Sequence, residues 1–204
     1  ASGGKDSMSG SFKEMDVPPT LVSFAVSTAN AKEIITPEFK KAGNKVYLFP
    51  APYTCEGLPQ YEPVKRMWAK VRALAREGKL VSAWALSQGG VAEGVMKMCF
   101  GNGLGFKFMR GIDRNGLFDT RYGSIIAECT GEPHEGILLG EVTPRSAITL
   151  PNGETIPTDE LLKLWETPLE DVFPTKTPKA KDTQQLHYEK RNANRPLIRT
   201  PKPR

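Results

Sequence analysis

The chain has 204 residues, 39% of them hydrophobic and 25% charged, which suits one well-cored domain with an extended tail and is short for two full domains. No run approaches the ~18 apolar residues of a membrane span, and three scattered cysteines, Cys55, Cys99 and Cys129, argue against a disulfide framework or a paired-cysteine metal site and fit a reducing cytoplasm. The net charge of +5 combines unlike parts: residues 174–204 carry +7 and the rest of the chain −2.

The sequence opens on Ala1-Ser-Gly-Gly-Lys-Asp-Ser-Met-Ser9, with neither an initiator Met nor the basic and apolar regions of a signal peptide. It reads as an excised piece of a longer chain. This loop has the small residues of a phosphate cradle but lacks the full GxxxxGK[ST] arrangement; Lys5 suits a phosphate, and Asp6 a metal ion or solvent. Thr20–Thr28 follows Pro18-Pro19 and is β-branched and aromatic, predicting a strand, and Val46–Phe49 predicts a second one closed by Pro50 and Pro52. Pro63 marks a helix start, and Val64, Met67, Trp68, Val71, Leu74 and Ala75 recur at helical spacing until Gly78.

Leu80–Leu86 is an apolar run of strand length that leads directly into Ser87-Gln88-Gly89-Gly90, and a helix with Val91, Val95, Met98 and Cys99 on one face follows, ending near Gly101. Gly105–Met109 predicts a strand, 111–122 a loop or short helix, and Ser124–Thr130, Ile137–Val142 and Ala147–Leu150 three further strands. Pro151-Asn152-Gly153 predicts a turn, and Thr158 an N-cap for a helix through Leu161, Leu162, Leu164 and Trp165 that Pro168 interrupts. The expected fold is α/β of the α+β type, a mixed β-sheet with helices packed on one face. Beyond Phe173 the Pro, Lys and Arg-rich composition predicts an extended linker that cannot bury enough surface to fold alone.

Chemistry concentrates at Ser87-Gln-Gly-Gly90. The N–H groups of Gln88, Gly89 and Gly90 at the head of a helix lack intrahelical partners and sit at the positive end of its dipole, which favours a phosphate beside the Ser87 hydroxyl. The same residues equally suit a serine that caps its own helix and glycines that permit close packing, and spacing leaves both readings open. His134 and His187 have no ligand-spaced neighbours. Glu128, Glu132, Glu135 and Glu141 read as solvated carboxylates at strand ends. The basic tail spreads its charges among prolines without an aromatic or helical platform, so it reads as a linker rather than a nucleic-acid surface.

Two stretches carry a family resemblance. Gly3–Ser9 followed by Pro18–Val26 resembles the junction between the last two synthetase subdomains of the long, single-chain phosphoribosylformylglycinamidine synthases. Leu80–Val91 resembles the strand–SDGG–helix element shared with aminoimidazole ribonucleotide synthetase, selenophosphate synthetase and thiamine-monophosphate kinase. The resemblance implies an aminoimidazole ribonucleotide synthetase C-terminal-domain-like fold over residues 18–173, a remnant of the preceding ATP-binding subdomain and connector over 1–17, and a linker over 174–204 toward an absent glutaminase domain. It implies an enzyme that amidates formylglycinamide ribonucleotide with ATP, Mg²⁺ and glutamine in purine biosynthesis. This piece would be inactive alone, with the upstream subdomains and the glutaminase domain as partners, cytoplasmic, without nucleic acid or membrane.

Residue by residue, Ser87 falls on the nucleotide-contacting serine of the family's D-x-S-D-G pattern, with Gly89 beside it. Gly4 and Lys5 fall on a second, auxiliary ATP/ADP site, Lys5 replacing a metal-binding Asn of the small-form relatives, and Ser7 falls on a substrate-facing serine. Ala85 and Gln88 replace the pattern's two acids, so neither a metal site nor a catalytic residue is expected. Two further expectations stand: a homodimer through an exposed sheet face, and, as an alternative function, a stand-alone non-catalytic nucleotide-binding module.

Overall fold

The computed structural model describes residues 8–20 and 24–176. The chain divides into two compact units, one ending at Trp165 and the other beginning at Glu166. In the second, the described residues hold a short 3₁₀ turn, Thr167–Leu169, and most of the predicted linker lies outside the described residues.

The first unit is built on a seven-stranded mixed sheet. Its strands are β3 (Lys45–Phe49), β4 (Leu80–Ala85), β5 (Gly105–Phe108), β6 (Ile125–Cys129), β7 (Ile137–Thr143), β8 (Ala147–Thr149) and β9 (Thr155–Pro157). They lie in the order β4-β6-β3-β7-β5-β8-β9, and β5–β8 is the one parallel pair. A separate hairpin pairs β1 (Met8–Phe12) with β2 (Met15–Thr20), its turn passing through Lys13 at φ 54°.

Of the strand expected over Thr20–Thr28, Thr20 alone among the described residues lies in a strand, as the last residue of β2. Residues 24–30 are irregular, with Phe24 and Val26 76% and 89% exposed. β-Branched and aromatic residues favour a strand only where a pleated surface receives them, and no described strand pairs with this segment.

Three helices complete the unit: α1 (Tyr61–Arg76), α2 (Gly90–Phe100) and α3 (Thr158–Glu166). They divide between the faces of the sheet instead of sharing one. Alternation along β3 sends Val46 and Leu48 to the side where Val91, Val95, Met98 and Cys99 of α2 pack, and Leu161 of α3 joins them. Tyr47 and Phe49 point the other way, onto Val71, Met67, Leu74 and Ala75 of α1. The apolar stripe predicted for α1 is thus its core face, but the helix starts two residues before Pro63. Trp68, at the stripe's margin, donates from Nε1 to the Gly123 carbonyl at 2.8 Å. Thr158 directs its hydroxyl to the Ser146 carbonyl at 3.2 Å, tying α3 to the start of β8.

Cys99 and Cys129 are buried core residues, and burial pushes their thiols up to about 12 and about 11; Cys55 is exposed. Among the described residues no helix is long and apolar enough to cross a membrane.

Glu128 corrects the sequence reading. It shares a face of β6 with Ile126, and both are fully buried. Its carboxylate accepts from Ser82 Oγ (2.9 Å), Lys40 N (2.7 Å), Lys41 N (3.0 Å) and Asn44 Nδ2 (2.6 Å). Hydrogen bonds to a charged group each contribute about 1.5–3 kcal/mol, and a buried donor left without its partner costs a similar amount. Glu128→Ala is therefore expected to destabilise the chain by about 3–5 kcal/mol in urea unfolding, with Glu128→Gln also destabilising because its amide NH₂ meets donors. A loss under about 1 kcal/mol for the alanine variant would refute this role.

Candidate functional site

β4 ends at the sheet's edge and delivers Ser87-Gln-Gly-Gly90 to the head of α2. Ser124, fully buried at the start of β6, fixes this end of the sheet: its carbonyl accepts from Leu86 N at 2.9 Å and its Oγ from Ala51 N at 2.8 Å. Thr120 Oγ1 adds a bond to the Gln88 carbonyl at 3.2 Å. Gly90 takes φ +64°, and a Cβ there would stand 2.7 Å from the carbonyl oxygens of both Leu117 and Asp119. Only glycine fits both the conformation and the space.

The helix starts at Gly90 with Gly89 as its N-cap, so Ser87 lies before the cap and does not close the helix as expected. Its hydroxyl donates instead to Glu93 Oε2, and Gly89 N donates to the same oxygen at 3.0 Å. The chain's own carboxylate thus occupies two of the donors that the sequence offers to a phosphate, while Gly90 N bonds the Ser87 carbonyl at 3.1 Å, and it meets the positive end of the helix dipole as a capping acid does. Lys97, one turn further on, binds Glu93 Oε1 at 2.7 Å. The Lys97 ammonium in turn stands 5.4 Å from the ring centroids of both Trp84 and Trp165, and Trp165 packs on Phe100 at 5.9 Å. Lys97 and Ser87 bonding hold the Glu93 carboxyl below the usual carboxylate range, against a smaller opposing effect of burial.

Behind Glu93 lies a cavity of about 360 Å³. Gly89, Ala92 and Met96 of α2 form one wall, Leu117 and Phe118 another, and Phe108, Ile148, Leu150, Ile156 and Leu161 the floor, with Arg114 and Glu93 as its charged groups. The arrangement has an apolar interior beside the loop and two opposite charges, the pattern of a site for a partly apolar ligand.

Of the residues singled out from sequence, the structure brings Ser87 and Gly89 together on one carboxylate. Gly4, Lys5 and Ser7 lie outside the described residues, as does His187. Ala85 and Gln88 are exposed, and no group of three or more His, Cys, Asp or Glu could hold a metal among the described residues. Glu135 pairs with Lys70, and Glu141 with Lys45. The sequence reading passed over Glu93 and Lys97, although their i, i+4 spacing just inside a helix head was a usable signal. The residues of the cavity come from five separate stretches, which no local pattern joins.

No family model matches the sequence, and no curated protein matches it. Comparison of folds is informative. Thermotoga maritima PurL complexed with ADP superposes with a TM-score of 0.54 at 16% identity, over 80% of this chain and 32% of that one. The fold resembles that of part of PurL. PurLQS from Thermotoga maritima gives a TM-score of 0.56 at 15% identity over 76% of this chain and 32% of the other. Phosphoribosylformylglycinamidine synthase II from the same organism gives 0.53 at 13% over 64% and 28%. The likeness to PurL is one of fold, a mixed sheet with helices, and the chain spans about a third or less of the length of each of these proteins.

The Glu93 cap makes a signed prediction. A carboxyl whose folded pKa is depressed stabilises the fold above its unfolded value and loses that contribution as pH falls through the lower folded value. Glu93→Gln is expected to lower the melting temperature at pH 7, and the difference from the wild type should shrink as pH drops below the unperturbed value of 4.5. Thermal melts showing a difference independent of pH would exclude this capping role.

Proposed function

We propose that the chain is the last synthetase subdomain of a phosphoribosylformylglycinamidine synthase, the enzyme that amidates formylglycinamide ribonucleotide with ATP and glutamine. In this reading it acts as scaffold and contributes part of an auxiliary nucleotide site, together with the upstream synthetase subdomains and a downstream glutaminase domain. The observation that carries it is the β4–Ser-Gln-Gly-Gly–α2 element standing at the edge of a PurL-like sheet. The Gly3–Ser9 segment, with Gly4 and Lys5 toward nucleotide and Ser7 toward substrate, supports it from sequence.

The residues make the chain unfit to catalyse alone. Activating an amide oxygen with ATP needs metal charge and oriented phosphates, whereas Ala85 and Gln88 supply no carboxylate for Mg²⁺. A phosphate reaching Ser87 Oγ and Gly89 N must displace the Glu93 carboxylate, so affinity at this loop is weak. The same carboxylate favours a second reading, a nucleotide-like module whose loop has become purely structural.

Reconstitution separates the two. Added to a fragment holding the preceding synthetase subdomains, the chain should restore ammonia-dependent, ATP-dependent amidation of formylglycinamide ribonucleotide, and it should show none by itself. Calorimetry with ADP should give weak binding that Ser87→Ala reduces and Glu93→Gln strengthens. A fragment equally active with and without the chain would overturn the synthase reading, and ADP binding indifferent to both substitutions would leave the loop structural.

A further inference from the structure

The two faces of the sheet are covered unequally. α2 and α3 pack on one face, whereas the α1-side cluster covers the other over β4, β6 and β3 and reaches only Leu138 of β7. Past Leu138, Glu141 of β7 and Lys107 of β5 stand on that second face, and both are charged. Lys45, Glu141 and Lys107 occupy one register across β3, β7 and β5. All three share the α1 side, because Val46, Phe106, Phe108 and Val142 next to them point into the opposite core.

Beside this row lies a groove of about 320 Å³, with Leu138 and Met109 as apolar lining and Arg110 at its rim. β7 is irregular beside the groove. Its register against β3 shifts between Val46 and Tyr47, and at Gly140 a Cβ would stand 2.0 Å from the Lys107 carbonyl oxygen. The missing side chain lets β5 approach β7 closely.

The charges do not balance. Three cations meet a single carboxylate, and Lys45 engages that carboxylate at 2.6 Å. Among the described residues no acid lies within ion-pair distance of Lys107 or Arg110. Three cations around one carboxylate leave an excess of positive charge, and cations that include one rigid fork, facing a concave surface with an apolar floor, are complementary to a tetrahedral dianion carried on a carbon skeleton.

We propose that this groove binds a phosphorylated small molecule, its phosphate between Lys107 and Arg110 and its carbon skeleton over Leu138 and Met109. The site lies on the sheet face opposite α2 and is independent of the Ser87 loop. A cross-strand ion ladder accounts for Lys45 and Glu141, with Lys107 in the field of the same carboxylate; one carboxylate still leaves the three cations with an excess of positive charge.

The test is a titration of the 204-residue chain with inorganic phosphate and with phenyl phosphate, followed by backbone amide NMR. Saturable shifts are expected at Lys107, Met109, Arg110 and Glu141 with both probes, the tighter binding going to phenyl phosphate, and none of this set should depend on Ser87. The double variant Lys107→Ala/Arg110→Ala, which removes exposed side chains and should keep the wild-type melting temperature, should bind phenyl phosphate at least about tenfold more weakly. Shifts confined to Ser87–Gly90 would overturn the proposal and leave the nucleotide reading of that loop standing. It would also fall if the shifts failed to saturate, if the double variant bound equally well, or if a long polyanion such as heparin bound while both small probes did not.

Discussion

A single buried carboxylate sets the register of the sheet. Glu128 lies on β6, between β4 and β3, and its two oxygens collect a serine from one neighbour and two main-chain amides and an asparagine from the loop before the other. A charge so completely removed from water is tolerable only when its lone pairs are filled, so strand positions and loop conformation are determined together. At the opposite end of the same strand Ser124 plays the neutral counterpart, receiving Leu86 and Ala51. β6 is in this sense the ruler of the fold. The Ser87 loop has a defined place because the strand before it is clamped to β6 at both ends.

What the sequence made legible follows from which interactions are local. Helical spacing exposed α1 and α2, and the apolar runs exposed β3 to β8, because each pattern reports a buried face within one element. The distribution of helices over two faces was hidden, since Val46 and Tyr47 are both apolar and alternation does not say which helix either one meets. The Thr20–Thr28 segment has strand composition, but past Thr20, the last residue of β2, its described residues 24–28 have no strand partner. Glu128 was misread for a related reason: a glutamate in a strand is ordinarily solvated, and only its four distant donors, all supplied from other elements, show otherwise. Its position one alternation from Ile126 in a run of otherwise apolar residues was the available hint.

The loop itself illustrates how a motif can persist while its electrostatics are reassigned. Serine and glycines keep their places, but the anion they receive is Glu93, and the cation that accompanies it is Lys97, steadied by Trp84 and Trp165. The whole set lies on one side of α2, spaced so that the ion pair is intrahelical and its aromatic support tertiary. Ala85 and Gln88 fit this arrangement, because further acids beside Glu93 would repel it. The carboxylate that borders the cavity is thus already paired with a cation of its own helix.

The strand order carries a consequence for how the molecule comes to exist. Within the large sheet β8 and β9 alone are neighbours both in sequence and in space; β3 must wait for strands that begin at Ile125 and Ile137, and β5 lies between β7 and β8, both made after it. Contacts of such long sequence separation slow folding. On the ribosome, the nascent chain would therefore carry β3, α1, β4 and α2 as unpaired apolar segments until β6 and β7 had emerged, and the sheet would close from its middle outward. Exposed strand edges during synthesis are the cost of a topology in which nearly every strand of the large sheet is paired by a later one.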